Sequence, residues 1–222
     1  MKATRPVRCL GKGLPPNLHS YYDVCPESPD GQRVLMSVFE SDAVPGPARI
    51  CVLDRRDASR TFIGRPVDMI GHVGRFGVWL DDQRFAYRDG SDESHCGWRI
   101  HDLATGDEVE RQGSLRQWHV GTQRGLVQSA GNLANPNDLR QGIEIVDEQG
   151  QTLVSLTVAD CAAVVPGGAG MPPLNELNIQ NLKWSPDGSR FSVVFSDEIF
   201  LNARPAARAG RTKFKVLVSF DA

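Results

Sequence analysis

The chain has 222 residues, of which 40% are hydrophobic and 23% are charged, and this composition predicts a soluble protein with a sizeable core. Lys and Arg total 25 against 27 Asp and Glu, so no excess charge attracts nucleic acid or an anionic membrane. The sequence shows neither a signal-peptide block nor an apolar run near the roughly 18 residues of a membrane span. We therefore expect a cytoplasmic protein with no nucleic-acid or membrane partner.

The cysteines predict no disulfide or zinc framework. There are five of them, an odd number, and no two form a CxxC pair. They are scattered along the chain as Cys9, Cys25, Cys51, Cys96 and Cys161. We expect reduced thiols that are mostly buried.

Four related segments follow one another along the chain. They are CPESPDGQRVLMSVFE (25 to 40), VWLDDQRFAYRDG (78 to 90), QWHVGTQRGLVQSAG (117 to 131) and NLKWSPDGSRFSVVFSD (181 to 197). Superposed, they share two positions, one held by Glu27, Trp79, Trp118 and Trp184 and the other by Arg33, Arg84, Arg124 and Arg190. An apolar run then closes on Asp54, Asp102, Asp147 or Asp221. Such a register indicates an internal repeat.

Each repeat predicts four antiparallel strands. Pro, Asp and Gly favour a tight turn, and Val, Ile and Phe fill the strands around it. Recurrence every 40 to 65 residues is typical of β-propeller blades, whereas a β-sandwich has no reason to repeat this register. We predict an all-β fold over 1–222, a single β-propeller region of about four four-stranded antiparallel blades at 18–67, 74–112, 115–158 and 178–222.

The last run, TKFKVLVSFDA, is the predicted third strand of blade four, and no fourth strand follows it. Three interpretations stay open. The chain is the N-terminal half of a larger propeller, or residues 1–17 supply a ring-closing strand for a small ring. Alternatively, two copies pair as a homodimer through exposed blade edges.

The SPDG-x-R segments, together with WRIHDLATGDE, resemble the WD40-like (TolB-type, PD40) repeats. These are shared by TolB, by the propellers of prolyl-oligopeptidase-type peptidases and by oligogalacturonate lyases. The opening LHSYYDVCPESPDGQRVLMSVFE looks most like the oligogalacturonate-lyase-like branch. That resemblance implies a seven- or eight-bladed propeller with a divalent metal held by later blades, and β-elimination of oligouronides. No metal ligand transfers to residues of this chain, and we expect no cofactor within it.

Five residues are candidates for ligand binding. His19, Tyr21 and Asp23 would share one face at strand spacing near the channel, where imidazole, phenol and carboxylate suit a sugar acid. Glu27 places an acid where the other repeats have Trp. His119 lies in an innermost strand, where a hydrogen-bonded rim histidine is the alternative interpretation. No residue is assigned a catalytic role.

Three functions remain at this point. The first is a non-catalytic binding module or scaffold that holds a small carbohydrate or protein partner at the channel mouth. The second is the N-terminal part of an oligogalacturonate-lyase-like enzyme, a polysaccharide lyase. The third is the propeller gate of a peptidase that lacks its hydrolase domain.

Overall fold

The computed structural model describes residues 12–19, 24–43, 46–69, 77–89, 97–129, 142–165, 177–197 and 215–222. These ranges contain fifteen strands and one six-residue helix. The chain divides into two compact units, Met1–Gly77 and Val78–Ala222. Within the described ranges, no helix has the length and apolar character needed to cross a membrane.

The first unit contains one antiparallel sheet, blade 1, in which chain neighbours are also sheet neighbours. Its strands are β1 (Asn17–Leu18), β2 (Arg33–Phe39), β3 (Gly46–Asp54) and β4 (Arg60–Met69). Alternate residues of β2 pack with Cys51 and Leu53 in a buried cluster. Burial raises the pKa of the Cys51 thiol to about 11, so this cysteine stays protonated, whereas Cys25 is exposed; neither is in a disulfide.

The described residues of the second unit, together with Gly77 just before it, form three antiparallel sheets with the same meander topology. Blade 2 consists of β5 (Gly77–Trp79), β6 (Arg84–Arg88), β7 (Gly97–Asp102) and β8 (Glu108–Gln112). Blade 3 consists of β9 (Ser114–His119), β10 (Arg124–Ser129), β11 (Gly142–Val146) and β12 (Thr152–Thr157), followed by α1 (Val158–Ala163). Blade 4 consists of β13 (Asn178–Trp184), β14 (Arg190–Ser196) and β15 (Lys215–Asp221).

These sheets confirm the predicted all-β fold built from about four β-propeller blades. In the described part of blade 4 there are three strands, and β15 is the third, as the sequence indicates. A pairing of residues 4 to 10 with 212 to 221 would close the ring, but its N-terminal segment lies outside the described residues.

The position that holds Glu27, Trp79, Trp118 and Trp184 in the four repeats begins an equivalent cross-strand row in each blade. Trp184 pairs with Phe191, which pairs in turn with Phe220, giving a row of three stacked or edge-on rings across blade 4. The corresponding row of blade 2 contains Trp79, Phe85 and His101. In blade 3 the row begins with Trp118 opposite Gly125, and in blade 1 it begins with Glu27 opposite Val34.

Blades 3 and 4 share a continuous apolar core. Its buried members include Leu126 and Ile143 of blade 3, and Ile179 and Phe191 of blade 4. Only Gly fits at position 113, where the chain passes from blade 2 to blade 3. Its φ is +91°, and an added Cβ would lie 2.6 Å from the Cγ1 atom of Val127.

Meander topology gives blades 2 to 4 two ends. At the turn end lie the tight turns 80–83, 120–123 and 185–189 between first and second strands. At the loop end β6, β10 and β14 finish, and β9 begins with Ser114. The turns 103–107 and 147–151 between third and fourth strands also lie at the turn end.

Candidate functional site

The two Ser-Pro-Asp-Gly turns have the same internal hydrogen bonds. In blade 4 the Ser185 hydroxyl donates to Asp187 Oδ1 (2.7 Å) and accepts from the backbone N–H of Arg190 (2.9 Å). In blade 1 the Ser28 hydroxyl donates to Asp30 Oδ1 (2.6 Å) and accepts from the backbone N–H of Arg33 (2.9 Å). These carboxylates are therefore engaged within their own turns.

Hydrogen bonding lowers the pKa values of the turn carboxylates. The Ser185 hydroxyl and the Ser189 N–H hold the pKa of Asp187 far below its usual range. The Arg56 side chain, which donates to Asp54, lowers the pKa of Asp54 to about 2. Burial raises the pKa of Asp81, but hydrogen bonds from Gln83 N–H and Arg84 outweigh it and the net direction is down. These acids are ionised structural groups at neutral pH.

In blades 1, 2 and 4 the recurring arginine and aspartate of the repeat are cross-strand partners. Arg33 lies opposite Asp54 with Nε and Oδ2 4.0 Å apart, and Arg190 lies opposite Asp221 at 2.9 Å. In blade 2, Arg84 lies opposite Asp102 in the ladder. In blades 1 and 4 these side chains link the second strand to the third, whereas the Arg84 guanidinium of blade 2 contacts other carboxylates.

The guanidinium of Arg84 also connects two blades. It contacts Asp81 at 2.7 Å within blade 2 and Glu148 at 2.9 Å in blade 3. The hydrogen bond from Arg84 lowers the pKa of Glu148. This contact fixes the turn ends of blades 2 and 3 to each other.

Glu27 occupies the position that Trp fills in the other blades, as its bridge to Val34 shows. Its carboxylate accepts a hydrogen bond of 2.9 Å from Arg55 Nη1, and both side chains are well exposed, 48% for Glu27 and 39% for Arg55. The pair presents a carboxylate and a guanidinium on the surface of blade 1.

His119 connects blade 3 with the turn of blade 4. Its Nδ1 accepts from the backbone N–H of Thr122 (3.1 Å), and its Nε2 lies 3.1 Å from the carbonyl oxygen of Pro186. Neutral imidazole with the proton on Nε2 satisfies both contacts. The ring also packs against Trp184, with centroids 6.0 Å apart. Nδ1 thus bonds within the turn of blade 3, whereas Nε2 and the ring contact blade 4.

His19 follows the last residue of β1 and is exposed. Tyr21 and Asp23, predicted to share its face, lie outside the described residues. The register of the sheet changes in this region, because the chain advances nine residues from Leu18 to Glu27 while β2 advances three from Ser37 to Val34. The described residues therefore do not test the three-residue group.

Buried polar side chains gather at the loop end of blades 2 to 4, a feature that the sequence did not predict. Each one lies at or beside the end of a strand there: Arg88, Ser114, Gln128, Ser196 and Asp197. Among the described residues of the second unit, one further buried polar residue, His101, lies elsewhere, in the aromatic row of blade 2. The loop end therefore concentrates hydrogen-bonding groups that strand ladders do not need.

Three of these loop-end side chains and the partly buried Arg116 of β9 form a defined arrangement, which we call the donor group: Arg88, Ser114, Arg116 and Gln128. Ser114 and Gln128 are cross-strand partners in β9 and β10. Arg88 Nη2 donates to Ser114 Oγ at 3.3 Å. Arg116 donates from Nε and Nη2 to Gln128 Oε1, at 3.0 and 2.7 Å.

A second polar network, also missed from the sequence, lies on one face of blade 2. Its members are Tyr87, Asp89, Arg99, His101, Glu108 and Glu110. The Tyr87 hydroxyl donates to Glu108 at 2.7 Å, and His101 Nδ1 lies 3.2 Å from the same carboxylate oxygen. Because both rings are buried, this network joins the outer strand to the middle of the sheet.

The blade 2 network could have been anticipated from the hairpin register. Arg99 lies opposite Glu110, and His101 lies opposite Glu108, across the turn at 103–107. Basic residues on one side of a short turn and acidic residues on the other, at alternate positions, predict such cross-strand pairs. In the described part of the chain, no group of three or more His, Cys, Asp or Glu residues is placed to hold a metal ion.

No protein-family model matches the sequence. No curated protein matches it either. Function must therefore be inferred from the arrangement of the residues.

Solved structures with a similar fold are propeller proteins. The β-propeller domain of the Trilobed protease from Pyrococcus furiosus has 11% identity and a TM-score of 0.47, over 86% of this chain and 51% of that one. TolB from Acinetobacter baumannii has 10% identity and a TM-score of 0.45, over 81% and 41%. Prolyl oligopeptidase B from Galerina marginata has 13% identity and a TM-score of 0.43, over 77% and 22%.

The chain spans about half or less of the length of these proteins. At such identities and scores the similarity carries no information about a ligand, a partner or a reaction. The blades themselves define the class: this chain is a β-propeller module.

Proposed function

We propose that this propeller module binds a small carbohydrate at the loop end of blades 2 to 4 and is not catalytic by itself. The observation that carries the proposal is the concentration of buried polar side chains at that end. Buried polar groups are costly unless they are hydrogen-bonded, so their accumulation beyond the needs of the ladders favours a ligand site.

The contrast between the two ends supports this proposal. At the turn end, Asp81 and Asp187 accept hydrogen bonds within their own turns, and Arg84 has two carboxylate partners. At the loop end, the donor group instead consists of amide, hydroxyl and guanidinium groups. Carbohydrates are recognised by such planar and hydroxyl groups.

A binding survey tests this proposal. Neutral and acidic mono- and disaccharides would be titrated into the full chain and followed by calorimetry and by ligand-observed NMR. We expect at least one sugar to bind, with an affinity reduced by Ser114→Ala and unchanged by Ser185→Ala at the turn end. Absence of binding across the survey would contradict the proposal.

A protein partner is the second candidate, and β12 is the observation that favours it. This outer strand, TLVSLT, contains no charged residue, and Leu153 is 50% exposed. The outer strand of blade 2, EVERQ, carries three charges. Charges on an edge strand prevent pairing with another chain, so the neutral edge favours antiparallel pairing with a second copy.

Light scattering tests the homodimer. We expect a dimer mass for the wild-type chain and a monomer mass for Leu153→Lys, because a lysine on the edge blocks strand pairing. A wild-type monomer at high concentration would exclude this partner.

The lyase and peptidase-gate functions, together with the cytoplasmic location, remain predictions. The lyase function would be supported by metal-dependent cleavage of oligouronides by a longer natural protein containing this chain. The gate function requires a hydrolase domain in that longer protein.

A further inference from the structure

Two of the three Asp-Gly bonds in the chain lie in the Ser-Pro-Asp-Gly turns of blades 1 and 4. These two bonds are Asp30–Gly31 and Asp187–Gly188, and the third, Asp89–Gly90, ends outside the described residues. Because glycine has no Cβ to hinder its amide nitrogen, that nitrogen attacks a preceding aspartate side chain more readily than the nitrogen of other residues does. The two turns therefore contain the same reactive bond in the same local sequence.

The reaction at such a bond needs no co-reactant except water. The glycine nitrogen attacks Cγ of the protonated aspartate side chain, so a C–N bond forms and the Cγ–OH bond breaks. The hydroxyl leaves as water with the proton of the nitrogen, and the product is a cyclic succinimide. Water then adds to the former main-chain carbonyl carbon and gives isoaspartate, in which the main chain runs through Cγ. The overall mass does not change.

Both turns restrain the groups that would react. Gly31 N–H donates to the Ser28 carbonyl oxygen at 2.8 Å, and Gly188 N–H donates to the Ser185 carbonyl oxygen at 3.0 Å. The serine hydroxyls hold the two carboxylates, and hydrogen bonds lower the pKa values of both. An ionised carboxylate is a poor electrophile. Each turn must therefore open, and its carboxyl group must take up a proton, before the ring can close.

Opening the blade 4 turn disturbs its packing against blade 3. Gly188 is buried, and an added Cβ would lie 2.6 Å from His119 Nδ1 and 2.7 Å from Thr122 Cγ2. His119 Nε2 also contacts the carbonyl oxygen of Pro186 at 3.1 Å. Movement of this turn therefore costs close contacts with a neighbouring hairpin.

The blade 1 turn is packed less tightly. Asp30 is exposed and Gly31 is partly exposed, and among the described residues an added Cβ at Gly31 would meet nothing within 4 Å. Arg55 Nη1 donates to the Gly31 carbonyl oxygen at 3.2 Å, but this guanidinium is 39% exposed, and surface contacts of this kind contribute little. This turn can therefore open at a lower cost than the turn of blade 4.

We propose that the Asp30–Gly31 bond is a site of spontaneous isoaspartate formation, and that the packing of Gly188 against blade 3 protects the equivalent bond of blade 4. The inference does not depend on the proposed carbohydrate binding. Isoaspartate lengthens the main chain of the turn by one carbon atom and moves the carboxylate away from the Ser28 hydroxyl and the Gln32 N–H. The reaction would therefore loosen the turn that leads into β2 as the protein ages.

Ageing of the full chain tests this proposal. The protein would be incubated at about pH 5, where a fraction of carboxyl groups is protonated, and peptide mapping with electron-transfer fragmentation would locate isoaspartate at each bond. Synthetic peptides of residues 26–34 and 183–191 give the rates without the fold. After each rate is divided by that of its peptide, we expect isoaspartate to form at least about fivefold faster at Asp30 than at Asp187.

His119→Ala tests the source of the protection. It removes ring atoms that Gly188 meets, so we expect the rate at Asp187 to rise at least about threefold, while Asp30 in the same sample serves as the control and keeps its rate. Folding is checked by tryptophan fluorescence. If this variant fails to fold, Thr122→Ser replaces it, because it removes the Cγ2 atom beside Gly188 and keeps the hydroxyl 3.0 Å from His119 Nδ1. We then expect a rise of about twofold.

Three results would overturn the inference. The first is a relative rate at Asp187 that equals or exceeds the rate at Asp30. The second is the absence of isoaspartate at Asp30 once the matching peptide has largely converted. The third is an unchanged rate at Asp187, or an equal rise at both bonds, in whichever variant folds.

Discussion

The Ser-Pro-Asp-Gly turns of blades 1 and 4 have the same hydrogen bonds and different surroundings. Gly31 and Gly188 both have a φ of +69°. Among the described residues, an added Cβ at Gly31 would meet nothing within 4 Å, whereas one at Gly188 would lie 2.6 Å from His119 Nδ1. The turn therefore forms through its own internal hydrogen bonds, and in blade 4 the neighbouring hairpin packs against it.

The largest expected difference concerns the residue just before each turn sequence. Trp118→Ala should lower the free energy of unfolding by about 3 to 5 kcal/mol, because the buried ring fills the first position of the blade 3 row. Glu27→Ala at the equivalent position should change it by less than about 0.5 kcal/mol, because its ion pair is exposed. Denaturant unfolding followed by far-UV circular dichroism measures both. Equal losses would contradict the comparison.

The second largest difference is expected in the cost of replacing the turn glycines, Gly188 and Gly31, measured as free energy of unfolding. Gly188→Ala should cost about 3 kcal/mol, combining backbone strain with the close approach of His119, whereas Gly31→Ala should cost about 1 kcal/mol from strain alone. All four tryptophans lie in Val78–Ala222, so their fluorescence follows the Gly188 variant within its own unit. A similar cost at both sites would show that His119 moves away freely.

The turn serines should instead behave alike. Ser28→Ala and Ser185→Ala each remove a hydroxyl that donates to an Asp and accepts a backbone N–H, so each should cost about 1 kcal/mol. The measurement is the denaturant midpoint of each variant at constant slope. If the losses in the free energy of unfolding differ by more than about 1 kcal/mol, the two turns contribute unequally to stability despite their shared hydrogen bonds.

The smallest expected effect is the loss of stability at low pH. The pKa values of Asp30 and Asp187 are lowered by folding, so their contribution to stability is complete above the unfolded value near 3.8 and is lost as pH falls through the folded values. Asp30→Asn and Asp187→Asn should therefore be less stable than the wild type at pH 7 and approach it near pH 2. Denaturant midpoints across this range test the trend, and a gap that widens in acid would contradict it.

The sequence predicted the blades because their determinants are local and repeated. Turn residues and alternating strands place Trp184 opposite Phe191 and Arg190 opposite Asp221 wherever the same spacing recurs. The all-β propeller class followed from this register. The end of β1 at Leu18 could not be predicted from the sequence, because the register between β1 and β2 changes before Glu27.

The donor group could not be predicted for the opposite reason. Arg88, Ser114 and Gln128 come from different strands, and Arg88 belongs to another blade. No spacing in one repeat brings them together, since their proximity depends on how blades 2 and 3 pack. Four of the five ligand candidates chosen from sequence instead lie before the first turn, where spacing alone could be read, and the fifth, His119, lies at the end of β9.

The cross-strand pairing of Arg33 with Asp54, and of Arg190 with Asp221, lies entirely inside one blade. A repeat that is copied and inserted elsewhere in a chain would therefore bring with it both members of the Arg–Asp pair that join its strands. Contacts such as His119 with Pro186 or Arg84 with Glu148 join two blades and must be rebuilt at each new boundary. Duplication can thus lengthen such a protein readily, while the seams between copies become the places where individual blades acquire distinct properties.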